Sequence, residues 1–136
     1  MTLPPLLADR SARAGLLLTV GVPSIYGVVC GAALGASKVG YLILSLLAIP
    51  GGFVGGLEHE DFLEGVWRGL TGGLLFGTAI LVAHDLIANA SKATLPDPHT
   101  LLIVITAVVG AALGGLGARL RSWREAASRR AADKPA

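Results

Sequence analysis

The sequence predicts an all-α membrane protein, a bundle of four transmembrane helices packed through rows of small residues, and three observations carry that prediction. The chain has 136 residues, 53% of them apolar, and a mean hydropathy of +0.69, well above what a domain solvated by water carries. Charged residues are missing from 14–37, 39–57 and 100–118, runs of 24, 19 and 19 residues. At about 1.5 Å per residue each run reaches across roughly 30 Å of hydrocarbon. Nineteen glycines recur, many of them four residues apart.

The first helix is expected over 14–37, after a cytoplasmic N-terminal segment at 1–13. Its apolar stretch is too long for a secretory signal, and no convincing small-x-small cleavage site interrupts it. Val29 before Cys30 argues against a lipoprotein signal. Cys30 is the lone cysteine and reads as a small core residue, with no partner for an intramolecular disulfide. Ser24 and Tyr26 add polar groups suited to bonding across helices.

A second helix is expected over 39–57, with Pro50 as a kink inside Ile49-Pro50-Gly51-Gly52. Proline removes a backbone donor, and a broken helix in the membrane can free carbonyls for an ion. The third helix is expected over 67–90 and the fourth over 99–120, followed by a basic cytoplasmic tail at 121–136. The unbroken apolar runs lack the period-two alternation of a β-barrel, the other solution that satisfies the backbone in lipid.

Orientation follows from the basic residues. With four spans, Arg10, Arg13, Arg68, Arg119, Arg121, Arg124, Arg129, Arg130 and Lys134 fall on one side, and Lys38 and Lys92 on the other. The positive-inside rule then makes both termini and the loop at 58–66 cytoplasmic, in a plasma (inner) membrane. The net charge of +2 hides a basic tail suited to anionic lipid headgroups. Trp67 and Trp123 fit as interfacial anchors. Topology accounts for the basic residues, so no nucleic-acid partner is expected.

The glycine rows are Gly27, Gly31 and Gly35 in the first helix, Gly51 with Gly55 and Gly52 with Gly56 in the second, Gly65, Gly69, Gly73 and Gly77 in the third, and Gly110 with Gly114, continued by Ala118, in the fourth. Residues four apart drift by only about 40° around a helix, so each row stays on one face. In water a mid-helix glycine costs about 1 kcal/mol relative to alanine. In lipid the helix has no competing hydrogen-bond partner, and small residues let two backbones approach closely. The rows therefore read as packing grooves, within one bundle or between copies.

Two polar clusters are candidate sites. LEHEDFLEGVWR gathers Glu58, His59, Glu60, Asp61 and Glu64 into seven residues, groups that a divalent cation or a proton relay would use. The metalloprotease signature fails, since Leu63 stands where a second histidine is needed. The plainer reading is a solvated loop whose Glu60 and Asp61 favour the following helix N-terminus, with Glu64 and Arg68 paired along that helix. On the outer side, His84 and Asp85 end the third helix while Asp97 and His99 precede the fourth. His84, Asp85 and His99 make a candidate ion or proton site, with capping and interface wetting as the alternative.

Nucleophile elbows, phosphate loops and paired-cysteine zinc sites are absent from the sequence, and the glycine runs follow no strand as a dinucleotide fingerprint requires. No enzymatic activity, cofactor or metal is expected. VGGLEHEDFLEGVWR and LGGLGARLRSWR each carry Gly-Gly-Leu and then Trp-Arg, as two duplicated helical hairpins would.

The stretch AIPGGFVGGLEHEDFLEGVWRGLTGGLLFG, a small-residue hairpin around a short polar loop, resembles prokaryotic glycine-rich four-span membrane domains of unknown function. The resemblance covers the central third of the chain and implies a membrane location without an activity. The fluoride-channel and small multidrug-transporter families are similar in size alone; the latter would require a membrane-embedded glutamate in the first helix, which this chain lacks. The expected function is that of a small integral membrane protein acting through helix packing, as a homo-oligomer or with a membrane-protein partner. The alternative is a small ion or proton channel or transporter along Pro50, His84, Asp85 and His99.

Overall fold

The computed structural model describes residues 3–87 and 91–132. Among them the chain is all-helical, and four helices are long and apolar enough to cross a membrane: α1 (Ala12–Ala36), α2 (Lys38–Gly56), α3 (Phe62–Ile87) and α4 (Leu101–Ala132). A short 3₁₀ turn at Leu7–Asp9 precedes them.

Local chemistry sets each start and stop. Ser11 caps α1, its hydroxyl accepting from Ala14 N at 3.3 Å. Ser37 alone separates α1 from α2. Its extended backbone (φ −155°, ψ 124°) ends the first helix, its N–H donates to Ala33 O, and its hydroxyl accepts from Gly40 N to start the second. Lys38 is therefore the first residue of α2. Pro50 lies inside α2, which runs through it as one continuous helix. Asp61 caps α3 by accepting from Leu63 N at 3.1 Å.

Two helix ends differ from expectation. The start of α3 lies five residues before position 67, because the cap at Asp61 lets Phe62, Leu63 and Glu64 join the helix. Its expected end at Ala90 lies outside the described residues. The basic tail, expected to begin at 121, continues α4 as helix to Ala132, and 133–136 lie outside the described residues. Alanine, arginine and glutamate are good helix formers, and Arg121 pairs with Glu125 one turn on at 2.7 Å.

The helices alternate in direction. At one end, Arg121 of α4 donates to Pro4 O and to Leu57 O, bringing the N-terminal segment, the α2–α3 loop and the α4 extension together. At the other end, Lys92 N donates to Leu34 O, tying the α3–α4 loop to the end of α1. The most extensive interface joins α3 to α4, and the next joins α1 to α3. Although α2 and α3 are neighbours in sequence, α2 leans more on α4 than on α3.

Where helices meet, several glycines face backbone. A Cβ added at Gly69 would meet the Gly110 carbonyl, one at Gly73 the Thr106 carbonyl, and one at Gly65 the Gly114 carbonyl and Ala118 Cβ. On a second face of α3, Gly27 faces Phe76 O and Gly31 faces Ile80 O. Gly56 and Gly117 bring α2 against α4. Gly51 is different, with nothing within 4 Å of its added Cβ. Gly35 is half-buried.

The buried core is small: Cys30, Leu34, Ile80, Leu102 and Ala93, with Tyr26 stacked on Phe76 at a centroid separation of 6.0 Å. Large apolar side chains cover the outside instead, among them Leu42, Ile43, Leu46 and Leu47 on α2. Water would penalise that surface, whereas hydrocarbon would solvate it.

Candidate functional site

The chemistry within the bundle centres on Arg68. Six residues into α3, its half-buried side chain crosses to α1, where Nη2 donates to Leu18 O at 2.6 Å. Pro23 explains why that carbonyl is available. Leu17–Gly21 winds as π-helix, so Val22 N–H donates to Leu17 O, five residues back. The next residue, Pro23, has no N–H to offer. Leu18 O is thus left without an intrahelical donor, and Arg68 supplies one.

The guanidinium lies among small residues. A Cβ at Gly72 would meet Nη1 at 3.0 Å and the Pro23 ring at 3.7 Å, and one at Gly55 would meet Nη2 at 3.9 Å. Arg68 Nε is buried without a hydrogen-bond partner. Among the described residues the ion pairs are Arg10–Glu58 and Arg121–Glu125, so Arg68 pairs with neither Glu64 nor any other acid.

Arg68 borders two cavities. One is a crevice of about 500 Å³ between the four helices, lined along α3 from Arg68 to Ile80 and faced by Ser45 and Leu46 of α2. Its lining is almost wholly apolar, and Ser45 Oγ is buried without a partner. Leu46, Ile105 and Val109 line it and are exposed, so it opens on the outer surface of the bundle. The other is an open cup of about 860 Å³ at the end holding the N-terminal segment, lined by Glu58, His59, Glu60, Asp61, Glu64 and Trp67 among others.

The residues of the first polar cluster are thus near one another but differently employed. Glu58 is buried and its carboxylate accepts from Arg10 Nη2 at 2.7 Å, while its carbonyl accepts from Leu7 N. His59 Nδ1 lies 3.2 Å from Gly55 O. Glu60 is exposed, and Asp61 acts as the helix cap.

In the second cluster His84 is buried with Nδ1 unpartnered, whereas Asp85, Asp97 and His99 are exposed. Neither His84 nor its neighbour Asp85 lines the crevice or the cup. Among the described residues no three of His, Cys, Asp and Glu converge to hold a metal ion.

Sequence reasoning misses the interior position of Arg68. The available signal is an isolated arginine beside Gly69, Gly72 and Gly73, once α3 is allowed to start at Phe62. No family model matches the chain, and neither a curated protein nor a solved structure is similar to it.

Proposed function

We propose that this chain is a multi-pass integral protein of the plasma (inner) membrane, with both termini cytoplasmic, acting through assembly with itself or with a membrane partner. The basic residues support the orientation. Arg10, Arg13, Arg119, Arg121, Arg124, Arg129 and Arg130 flank the ends that meet at the α2–α3 loop, while Lys38 and Lys92 lie at the opposite end.

In this reading the glycine rows of α1, α3 and α4 close the chain's own bundle, since carbonyls of neighbouring helices already fill them. Assembly then falls to α2. The observation that carries the reading is that α2 buries only Gly56, exposes Leu42, Ile43, Leu46 and Leu47, and keeps Gly51 open where the crevice meets the outer surface. A helix face with an open small residue lets a second helix approach closely in lipid.

Cross-linking in native membranes tests this directly. The wild-type chain should give a discrete oligomer or hetero-complex, and Gly51→Leu should lose it while the monomer stays folded. Unchanged cross-links in Gly51→Leu would remove α2 as the interface.

A second reading, a small ion or proton channel or transporter, draws on the crevice between the four helices. Flux into liposomes reconstituted with the chain tests it, with Ser45→Phe, which fills the crevice, as control. Flux equal to empty liposomes would end that reading.

A further inference from the structure

We infer that the crevice between the four helices holds one anionic glycerophospholipid of the cytoplasmic leaflet, its phosphate on Arg68 and an acyl chain along the groove. The inference rests on the membrane reading above and adds a ligand to it.

Charge is the first argument. Arg68 stays ionised under all ordinary conditions, yet it lies within a membrane-spanning helix where no acid reaches ion-pair distance, and Glu58, the carboxylate near enough to act on it, is already paired with Arg10. A cation in that setting calls for a counter-ion and for acceptors to satisfy its donors. The Leu18 carbonyl satisfies Nη2 and supplies no charge, while Nε has no partner at all. A phosphodiester offers both the charge and the planar acceptor pair that a guanidinium fork matches.

Depth is the second argument. Arg68 lies six residues from the start of α3, about 9 Å along the axis, and the exposed Trp67 beside it suits the interface. From Arg68 to Ile80 the crevice follows α3 for twelve residues, about 18 Å, comparable to the roughly 15 Å of one hydrocarbon leaflet. The lining over that length is apolar, as an acyl chain requires, and the volume of about 500 Å³ lies within the range of ligand sites.

Direction of entry is the third. Glu58, Glu60, Asp61 and Glu64 line the aqueous cup on the other side of Arg68, so a soluble anion approaching from water meets like charge. Leu46, Ile105 and Val109 open the crevice sideways instead, which is the route a lipid has.

The test uses the full chain in vesicles of equal phosphatidylcholine and phosphatidylglycerol. Flotation with the vesicles comes first. Protein that stays unbound in the gradient overturns both the membrane reading and the lipid site. For protein that floats, native mass spectrometry reads the lipid retained on release. Phosphatidylglycerol should be retained over phosphatidylcholine, and Arg68→Gln should lower that preference about tenfold, the scale of one charge-assisted hydrogen bond. Ser45→Phe, which fills the crevice and keeps the charge, should lower it as well, and this variant decides if Arg68→Gln does not fold. The triple variant Arg124→Gln, Arg129→Gln, Arg130→Gln should leave the preference intact. Loss in that triple variant alone would move the lipid to the basic tail. Displacement by excess inorganic phosphate would make the site one for a free anion, and an unchanged preference in both crevice variants would leave no site there.

Discussion

Arg68 Nη2 donates to the carbonyl oxygen of Leu18 across 50 positions of sequence, at 2.6 Å. The bond joins two local irregularities. Pro23 deprives the preceding turn of a donor, the backbone winds as π-helix over Leu17–Gly21, and a guanidinium from α3 supplies what the helix has lost.

The two residues should therefore be energetically coupled. Pro23→Ala restores an N–H and lets Val22 N–H return to Leu18 O, which would release Arg68. Arg68→Met should destabilise the wild type more than it destabilises the Pro23→Ala chain. A double-mutant cycle on unfolding in mixed micelles should return a coupling of about 1.5–3 kcal/mol, the net worth of a hydrogen bond to a charged group. A coupling near zero would mean that the carbonyl finds another donor.

Glycine substitutions separate propensity from packing. Alanine is favoured over glycine in a helix by about 1 kcal/mol, so Gly51→Ala, with open space around its Cβ, should be neutral or stabilising. Gly69→Ala puts a methyl group into the Gly110 carbonyl, and neither backbone can yield without parting α3 from α4. The sign should reverse there, with a cost of about 1–3 kcal/mol from overpacking. Thermal unfolding of both variants in detergent checks the reversal, and equal effects at 51 and 69 would refute it.

The number of long apolar helices was readable in the sequence because it depends on charge being absent over a bilayer's thickness, a local property. The position of Arg68 was not. Counting the third helix from 67 puts this arginine in its first turn, whereas capping by Asp61 starts α3 at Phe62 and carries the guanidinium more than a turn further along the helix. Its acceptor is set by Pro23 in another helix, and no window along the chain holds both. Likewise, 121–132 read as a tail because they are charged. A helix needs no apolar face to continue past its last packed turn, given residues such as Ala126, Ala127 and Arg129. The outer cluster was assembled from closeness in sequence, yet only His84 of its members is buried.

Arg121 should hold together the end of the bundle at the α2–α3 loop. Its Nη1 donates to Leu57 O at 2.7 Å and Pro4 O at 2.8 Å, and its Nε to Glu125 at 2.7 Å. Removing it leaves the last carbonyls of α2 and of the N-terminal segment without that donor, at about 1–3 kcal/mol for buried groups. Arg121→Ala should raise amide exchange at Leu7, whose N–H bonds to Glu58 O in the same network, and speed tryptic cleavage after Arg10. Arg130→Ala, on the exposed extension, should change neither. Equal protection in both variants would show that the network is idle.

The orientation makes a last prediction that is independent of stability. In a Cys30→Ser background, Ser128→Cys places a thiol on the exposed α4 extension and Ser91→Cys one in the exposed α3–α4 loop. The two ends of α4 lie on opposite sides if that helix crosses the bilayer, and the proposed orientation, from the excess of basic residues near Ser128, has that residue on the cytoplasmic side. An impermeant maleimide applied to intact cells should label Ser91→Cys and spare Ser128→Cys, and inverted vesicles should give the opposite pattern. Labelling of both positions from one side would mean that α4 does not span, and the full reversal of the pattern would invert the protein in its membrane.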